Sequence, residues 1–226
     1  MIGSPNRSRR AYINAHVLAP AQGLDGPGGI LIEDGWILAA GKDVTRDSVG
    51  SSATVVDCKG RVLAPGLIDM RVFTGEPGSE YRETLASASE AAAAGGVTTM
   101  IVMPNTQPVI DDAAIVDYVL RRARDTAKVR VAPMAAISKG LAGEHMAEIG
   151  LLKRAGAVAV TDAVKAVGNA NLFRRALMYA RDFDLLVVGH AEEPSLSGGV
   201  MNASEMAARL GLSGNPAMSE VIMLER

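Results

Sequence analysis

The sequence predicts an α/β fold: a (β/α)8 TIM-type barrel, with about the first five βα units inside the chain, preceded by a small β module. Three observations favour this class. From Arg61 onward short apolar runs alternate with alanine-rich helical segments, which is typical of parallel strands covered on both faces. Residues 1–60 instead contain short strands separated by turns. The 226 residues are 48% hydrophobic, which supports a sizeable core.

Local signals define the elements in order. Glycine-rich and Asp-Gly turns separate predicted strands at residues 12–18, 30–33, 36–40 and 54–57. The predicted barrel strands are residues 62–72, 97–103, 129–135, 157–161 and 185–190. Helices are expected at residues 81–94, 112–126, 144–155, 170–183 and 203–210, and a last helix opens at Asn215-Pro216 and continues to Arg226. Residues 1–60 and 61–226 are therefore treated as two domains.

The end of the sequence bears on whether the predicted barrel is complete within this chain. The last amphipathic segment reaches Arg226 without a glycine, proline or polar cap. Five βα units leave open parallel edges, whereas eight close the commonest barrel. We therefore expect an N-terminal portion of a longer protein, or a chain that needs another to complete it. The alternative, a self-sufficient doubly wound sheet, lacks a glycine-rich phosphate loop after its first strand.

Charge and composition exclude several function classes. The formal net charge is -2, so no global field favours nucleic acid or an anionic membrane. No apolar run is long enough to span a bilayer. The single cysteine, Cys58, excludes an internal disulfide and a cysteine-based zinc cluster, and it fits a reducing compartment. We expect a cytoplasmic protein that binds neither nucleic acid nor membrane.

The most informative segment is PGLIDMRVFTGEPG, residues 65–78. Its strand ends in an alternation that directs Arg71 and Phe73 to one face. Polar residues also follow the second, fourth and fifth predicted strands, namely Asn105, Asp162 and His190. Barrels of this kind place their chemistry at the carboxyl ends of the strands, so these residues define the candidate site.

Five segments in order resemble the dihydroorotases of the amidohydrolase superfamily, and in particular the catalytically defective dihydroorotase-like chains that partner aspartate transcarbamoylase. They are LAPGLIDM (63–70), EPG (76–78), ETLASASEAAAAGGVTTMIVMPNTQPVID (83–111), GAVAVTD (156–162) and GHAEEPSLSGGVMN (189–202). The resemblance covers essentially the whole chain. It implies a barrel of the metal-dependent hydrolase type, with a small β-sandwich built from both chain ends.

In active relatives the resemblance implies reversible hydrolysis of a cyclic amide, which interconverts dihydroorotate and carbamoyl-aspartate. Zinc there lowers the pKa of a bound water to about 7 and polarises the carbonyl. By resemblance, Asp162 and His190 stand at metal-ligand positions, whereas Arg71 and Phe73 replace two histidines. Gly75 replaces the arginine that pairs with the substrate carboxylate, while Asn105, which assists that arginine, is present. The acidic pair expected after the fourth strand is reduced to Asp162 followed by alanine.

Arg71 would place a permanent cation where relatives hold the metal. One hypothesis is an ion pair between Arg71 and Asp162 in place of the metal bridge; the alternative directs Arg71 along the barrel mouth into solvent. Asp162 and His190 supply two ligands, fewer than the three typical of catalytic zinc, which favours a hydrogen-bonded remnant histidine. No cofactor is expected on this interpretation.

An intact framework with altered reactive groups favours a pseudoenzyme: a non-catalytic dihydroorotase-like protein of pyrimidine biosynthesis, acting as structural or regulatory partner of aspartate transcarbamoylase. An alternative is an active cyclic amidohydrolase that holds zinc through Asp162, His190 and residues beyond Arg226. A third is a small-molecule binding protein that uses the old pocket. A homo-oligomer is expected in each case.

Overall fold

The computed structural model describes residues 8–225, so residues 1–7 and the predicted helix end at Arg226 lie outside the described part. The chain forms two compact units, Met1–Gly66 and Leu67–Arg226. The boundary follows Gly66 rather than residue 60, because Val62–Leu63 pairs with the first strand of the first unit. Each unit has its own sheet.

The first unit is a five-stranded sheet of β1 (Arg9–Ala19), β2 (Leu24–Glu33), β3 (Trp36–Gly41), β4 (Thr54–Asp57) and β5 (Val62–Leu63). Its order is β3-β2-β1-β4, and β5 also pairs with β1. The first three strands are antiparallel neighbours, with the predicted Asp34-Gly35 turn between β2 and β3. β4 and β5 run parallel to β1. Its core contains Ala11, Ile13, Leu31, Val44 and Val49.

The second unit has a five-stranded sheet in which every pair is parallel. Its strands are β6 (Leu67–Val72), β7 (Val97–Val102), β8 (Arg130–Ala135), β9 (Ala159–Thr161) and β10 (Leu186–Val188). They neighbour one another in chain order, which confirms the predicted parallel barrel architecture. The single predicted strand at 62–72 is two strands, since Pro65 lacks the amide that a ladder needs.

The helices are α1 (Leu85–Ala94), α2 (Ala113–Thr126), α3 (Ile149–Ala155), α4 (Ala170–Arg181), α5 (Glu205–Leu210) and α6 (Met218–Glu225). A short parallel pair, β11 (Met201–Asn202) and β12 (Gly214–Asn215), flanks α5. Side chains cap four of the helix starts: Thr84, Asp112, Asn169 and Ser204. None of the helices in residues 8–225 has the length and apolar character needed to cross a bilayer.

Two helices begin later than predicted. Tyr81 and Arg82 belong to a turn, and α1 starts where the extended Thr84 forms a reciprocal capping box with Ser87. The predicted helix at 144–155 begins only at Ile149, because the preceding residues pair with the segment after β8. Lys139 donates its amide to the carbonyl of His145 at 2.8 Å. Tertiary pairing therefore overrides local helix propensity at this point.

The parallel sheet has two apolar faces, and strand alternation assigns side chains to each. The helix face packs against α1 to α4 and includes Val72, Val102, Ala135, Val160 and Val187. The opposite side, called the inner face, carries a smaller cluster: Ile101, Met103, Met134, Ala159, Ala163 and Val188. Residues beside a helix-face residue on one strand therefore point to the inner face.

Candidate functional site

The carboxyl end of β6 carries Arg71 and Phe73. Both flank Val72, which packs on the helix face, and the pairing of β6 with β7 is irregular between Asp69 and Val72. The Arg71 side chain is exposed, and its backbone amide donates to Asp69 Oδ1 at 3.0 Å. The guanidinium carbon of Arg82 lies 5.2 Å from the centroid of the Phe73 ring, a cation–π contact. Arg82 was not a predicted site residue, because the turn that delivers it is fixed by packing.

Gly75 has no room for a side chain. It is buried with φ of +71°, and a Cβ there would lie 2.6 Å from the Ser79 carbonyl oxygen and 3.1 Å from that of Glu83. Ser79 donates its amide to the Gly75 carbonyl at 2.6 Å, and Arg82 donates its amide to the Ser79 carbonyl at 2.9 Å. The segment from Ser79 to Glu83 therefore closes over Gly75 and fixes the backbone that carries Arg82.

The turn after Gly75 is anchored by an ion pair between a buried carboxylate and a partly exposed arginine. Glu76 is 2% exposed, and its Oε1 accepts from Arg122 Nε at 2.6 Å, while Oε2 accepts from the Leu85 amide at 2.8 Å. The hydrogen bond and the charge of Glu76 raise the pKa of the Arg122 guanidinium. Glu76 thereby joins the turn to the start of α1 and to α2. Arg122 lies 46 residues away in sequence, so no local pattern could have paired the two.

Gly78 lies directly against the turn that follows β7. A Cβ on Gly78 would lie 1.9 Å from the Gln107 carbonyl oxygen. The Gln107 amide donates to the Pro77 carbonyl at 3.0 Å. The two turns at the ends of β6 and β7 are thus held in close backbone contact.

Asn105 follows β7 beside the end of β6. The Met103 amide donates to the Val72 carbonyl at 2.9 Å, which keeps the two strand ends adjacent. Asn105 Oδ1 is buried, and within residues 8–225 it has no hydrogen-bond partner. An unpartnered buried acceptor is costly, so Asn105 is available to a ligand. Its predicted role in substrate binding stays a prediction.

Asp162 faces the end of β8. It is 3% exposed; Oδ1 accepts from the amides of Ile137 and Ser138 at 2.9 Å each, and Oδ2 accepts from the Ser138 hydroxyl. The next residue, Ala163, has φ of +60° and packs in the inner-face cluster. The position that points to the inner face after β9 is therefore an alanine.

The hypothetical Arg71–Asp162 ion pair is not formed among the described residues, and its alternative, an exposed Arg71, is what the structure has. The reason is topological. Arg71 ends β6 and Asp162 follows β9, so β7 and β8 lie between them. Three strand spacings amount to about 14 Å along the sheet. The three hydrogen bonds to Asp162 come from the neighbouring strand end instead.

His190 follows β10 at the other edge of the sheet. Its side chain is 26% exposed, and Nε2 lies 2.9 Å from Glu192 Oε2. Asp162 and His190 line one cavity of about 240 Å³, together with Lys165, Phe173 and Met223. The structure thus brings the two remnant ligand positions to one cavity, while Arg71, Phe73 and Gly75 lie at the opposite edge of the sheet.

The described residues do not fit a zinc site. Within residues 8–225 there is no group of three or more His, Cys, Asp or Glu side chains that could hold a metal ion. The oxygens of Asp162 already accept three hydrogen bonds, and the Nε2 atom of His190 faces Glu192. His16 pairs with Asp25 in the first unit, outside the candidate site. Catalytic zinc requires three protein ligands with an open position.

Solved structures share the fold of this chain. An L-hydantoinase (dihydropyrimidinase) from Arthrobacter aurescens matches 82% of this chain and 41% of its own, with a TM-score of 0.67 and 22% identity. A crystal structure of a dihydroorotase matches 80% of this chain and 51% of its own, with a TM-score of 0.50 and 12% identity. The fold is that of the amidohydrolase barrels.

The family follows from the sequence comparison. The model of the Dihydro-orotase-like family matches residues 60–226, so the chain belongs to the dihydroorotase family of the amidohydrolase superfamily. It is 46% identical over 218 residues to a dihydroorotase of Syntrophobacter fumaroxidans, covering 95% of this chain and 49% of that protein. It is 45% identical over 211 residues to a dihydroorotase of Syntrophus aciditrophicus, covering 93% and 49%. The chain thus spans about half the length of the curated relatives it matches.

Proposed function

We propose that this chain belongs to a dihydroorotase-like protein of pyrimidine biosynthesis that does not catalyse dihydroorotate hydrolysis and serves as a structural or regulatory partner of aspartate transcarbamoylase. Membership of the dihydroorotase family supports the pathway. The two relatives described above are named dihydroorotases, so dihydroorotate hydrolysis is the activity that we propose this protein lacks.

The environment of Gly75 is the observation that carries the proposal. By resemblance, this position holds the arginine that pairs with the substrate carboxylate. Here backbone oxygens of Ser79 and Glu83 occupy the space that a side chain would need. Arg71 and Phe73, two and four residues earlier, stand at the positions of two metal-binding histidines. Changes to the carboxylate clamp and to the metal ligands therefore coincide within residues 71–75.

Hydrogen bonds between protein groups hold the framework around these positions. Asp162 binds the end of β8, and Glu76 binds Arg122 and the start of α1. Such a framework supports a structural role. The resemblance to dihydroorotase-like chains that bind aspartate transcarbamoylase suggests that enzyme as the partner.

The catalytic part of the proposal is tested on the full-length protein. We expect no stoichiometric zinc by plasma emission spectrometry and no turnover of dihydroorotate or carbamoyl-aspartate. The Syntrophobacter fumaroxidans dihydroorotase, purified and assayed in parallel, is the matched positive control. Stoichiometric zinc or measurable turnover would overturn the proposal and favour an active amidohydrolase.

The partner role is tested separately. Full-length protein is mixed at micromolar concentration with aspartate transcarbamoylase from the same organism, and sedimentation velocity is recorded. A heavier co-sedimenting species is expected. Two independent boundaries would contradict the scaffold role, whatever the zinc and turnover measurements show.

A further inference from the structure

We propose that the outer face of α4 is a docking surface for an acidic amphipathic segment of a partner protein. This face, called the α4 surface, consists of Arg174, Leu177, Met178 and Arg181, whose side chains are all exposed. None of the four lines the cavity that holds Asp162 and His190. The surface is therefore separate from the candidate functional site, and it does not depend on the activity or on the partner proposed above.

The exposed residues of α4 recur at helical spacing. Relative to Arg174, Leu177, Met178 and Arg181 stand three, four and seven residues further along the helix, which places them on one side of it. The residues of α4 that pack into the core lie on the other side: Leu172, Ala176 and Ala180. A helix commonly contacts a partner through a face with this spacing.

The charge of α4 is entirely positive. Residues 170–181 contain three arginines and no acidic residue, although the whole chain has a net charge of -2. None of the ion pairs formed within residues 8–225 involves Arg174, Arg175 or Arg181. The helix dipole favours a cation at Arg181 in the last turn, but it does not favour one at Arg174 in the first half of the helix.

A groove of about 360 Å³ lies along the α4 surface. Its apolar lining includes Met146, Met178 and Tyr179, and Arg174 Nη1 lies 3.6 Å from Met178 Sδ. Tyr179 packs closely on α3, where a Cβ at Gly150 would lie 3.0 Å from its hydroxyl oxygen. The groove therefore combines flexible thioethers, which adapt to apolar partners, with guanidinium groups.

Acidic residues near the groove leave its cations in excess. Three arginines line the groove, and Asp182 is the acidic residue among its lining. Glu144 and Glu148 line a neighbouring cavity together with Arg175. Arg175 is for this reason left out of the α4 surface. The outward stripe that begins at Arg174 and ends at Arg181 is then positive at both ends and apolar between them.

This pattern favours an acidic protein segment over other occupants. A two-fold contact between two copies would place the arginines of one α4 surface opposite those of the other. A membrane surface binds a broad apolar face, and the broad apolar face of α4 is packed in the core. Nucleic acid is bound mainly through phosphate contacts, which leave Leu177 and Met178 without a partner. An acidic amphipathic helix supplies both carboxylates and apolar side chains.

Fluorescence anisotropy with the full-length protein tests the proposal. The probe is a fluorescein-labelled peptide of three Glu-Glu-Leu-Ala-Glu-Leu-Ala repeats, a good helix former. We expect binding that weakens as the salt concentration rises. The Arg174→Gln/Arg181→Gln variant should bind about tenfold more weakly, since each exposed ion pair lost costs about threefold. Met178→Gln should weaken binding by about threefold, because an apolar contact is lost.

The Arg10→Gln/Arg130→Gln variant is the matched control. Both residues are exposed on strands, Arg10 on β1 and Arg130 on β8, and their replacement makes the same change in net charge. The affinity of this variant should stay within about twofold of that of the parent protein, since only long-range attraction is altered. A second peptide, with glutamine in place of every glutamate, should bind about tenfold more weakly than the acidic peptide.

Three results would overturn the proposal. The first is no binding of the acidic peptide up to about 1 mM protein, a concentration that would reveal even millimolar affinity. The second is equal affinities for the Arg174→Gln/Arg181→Gln variant and its control. The third is equal affinities for the two peptides. Circular dichroism of each variant confirms that the exposed substitutions leave the fold intact.

The other occupants are tested on the same variants. Sedimentation velocity of the protein alone measures self-association, and flotation with phosphatidylserine vesicles measures membrane binding. Self-association or vesicle binding that Arg174→Gln/Arg181→Gln abolishes would overturn the proposal and assign the α4 surface to a second copy or to a membrane. None of these measurements depends on zinc content, dihydroorotate turnover or aspartate transcarbamoylase, so this surface and the proposed function can fail independently.

Discussion

Asp162 binds Ser138 through both of its carboxylate oxygens: the Ser138 amide donates to Oδ1 at 2.9 Å, and the Ser138 hydroxyl donates to Oδ2. The Ser138 oxygen also accepts from the Gly143 amide at 2.8 Å. One buried carboxylate thus holds the end of β8 and the loop that follows it. By resemblance Asp162 stands at a metal-ligand position, but here it accepts hydrogen bonds from the residues that follow the neighbouring strand.

Asp162→Asn should destabilise the fold by about 1–3 kcal/mol. The asparagine amide group would face a hydrogen-bond donor that now binds a carboxylate oxygen, so that donor would lose its acceptor. Urea unfolding followed by circular dichroism measures the change. Asp125→Asn, on the exposed surface of α2, is the matched control and should change stability by less than about 0.5 kcal/mol. Equal midpoints for the two variants would show that the Asp162 hydrogen bonds add nothing.

Arg122→Gln and Arg121→Gln should differ although the residues are adjacent on α2. Arg122 binds the buried Glu76, whereas Arg121 pairs with Asp117 on the exposed surface of the same helix. Loss of the Arg122 contact should lower the free energy of unfolding clearly, since the buried Glu76 carboxylate keeps only the Leu85 amide as a partner. Loss of the Arg121 contact should lower it far less, because ion pairs on the exposed surface contribute little. Chemical denaturation compares the two, and equal losses would contradict a structural role for Glu76.

Gly75→Ala should destabilise the fold more than Gly96→Ala. Both glycines have positive φ, +71° and +79°, but a Cβ at Gly96 meets nothing within 4 Å, while at Gly75 it meets Ser79. The Gly96 variant measures only the cost of placing an alanine at positive φ, about 1 kcal/mol. Thermal unfolding should place the Gly75 variant clearly lower. Identical melting temperatures would show that the turn relaxes around a side chain.

Gly75→Arg should not restore a carboxylate clamp, even in a chain that also carries histidine at positions 71 and 73. The arginine would need the Ser79 to Glu83 segment to move, since backbone oxygens fill the space beside Gly75. We expect reduced stability and no dihydroorotate turnover for this triple variant of the full-length protein. Turnover by the triple variant would contradict the structural account of position 75.

The acid stability of the turn after β6 should depend on Glu80. The Gly78 amide donates to Glu80 Oε1 at 2.9 Å, and this hydrogen bond lowers the pKa of Glu80 below the ordinary value of a glutamate. A carboxyl whose folded-state pKa is lowered stabilises the fold above its unfolded pKa, and the contribution is lost as the pH falls through the folded value.

Glu80→Gln should therefore be less stable than the parent chain above pH 4.5, by an amount that is constant there and shrinks below pH 4.5. Urea unfolding across pH 3 to pH 7, on the order of two units either side of that value, measures the difference. Glu90→Gln, on the exposed surface of α1, makes the same change in charge and is the control. A pH-independent difference for Glu80→Gln would contradict the predicted linkage.

The order and type of the barrel elements could be predicted from the sequence, because each strand is a short apolar run and each helix has its own pattern. The break at Pro65 and Gly66 was missed, since the apolar pattern continues through it while the backbone pairing does not. The late start of α3 was missed for a similar reason: residues before Ile149 pair with the segment after β8, a tertiary contact that no local propensity encodes.

The site was predicted less completely than the fold. The predicted strands placed Arg71, Phe73, Asn105 and His190 at carboxyl ends. These ends share one edge of a parallel sheet. The donors to Asp162 and the arginine that pairs with Glu76 were not predictable, since they lie 24 to 46 residues away. A buried carboxylate implies donors somewhere, but only the packed structure names them.

The contact between Gly78 and Gln107 has an evolutionary consequence. With a backbone oxygen only 1.9 Å from a would-be Cβ, position 78 tolerates glycine alone unless both turns move together. Substitution at the end of β6 is free of this restraint, as the cation at position 71 and the hydrocarbon ring at position 73 illustrate. Single substitutions can therefore change the side chains at the end of β6, whereas a change in one of the two turns requires a matching change in the other.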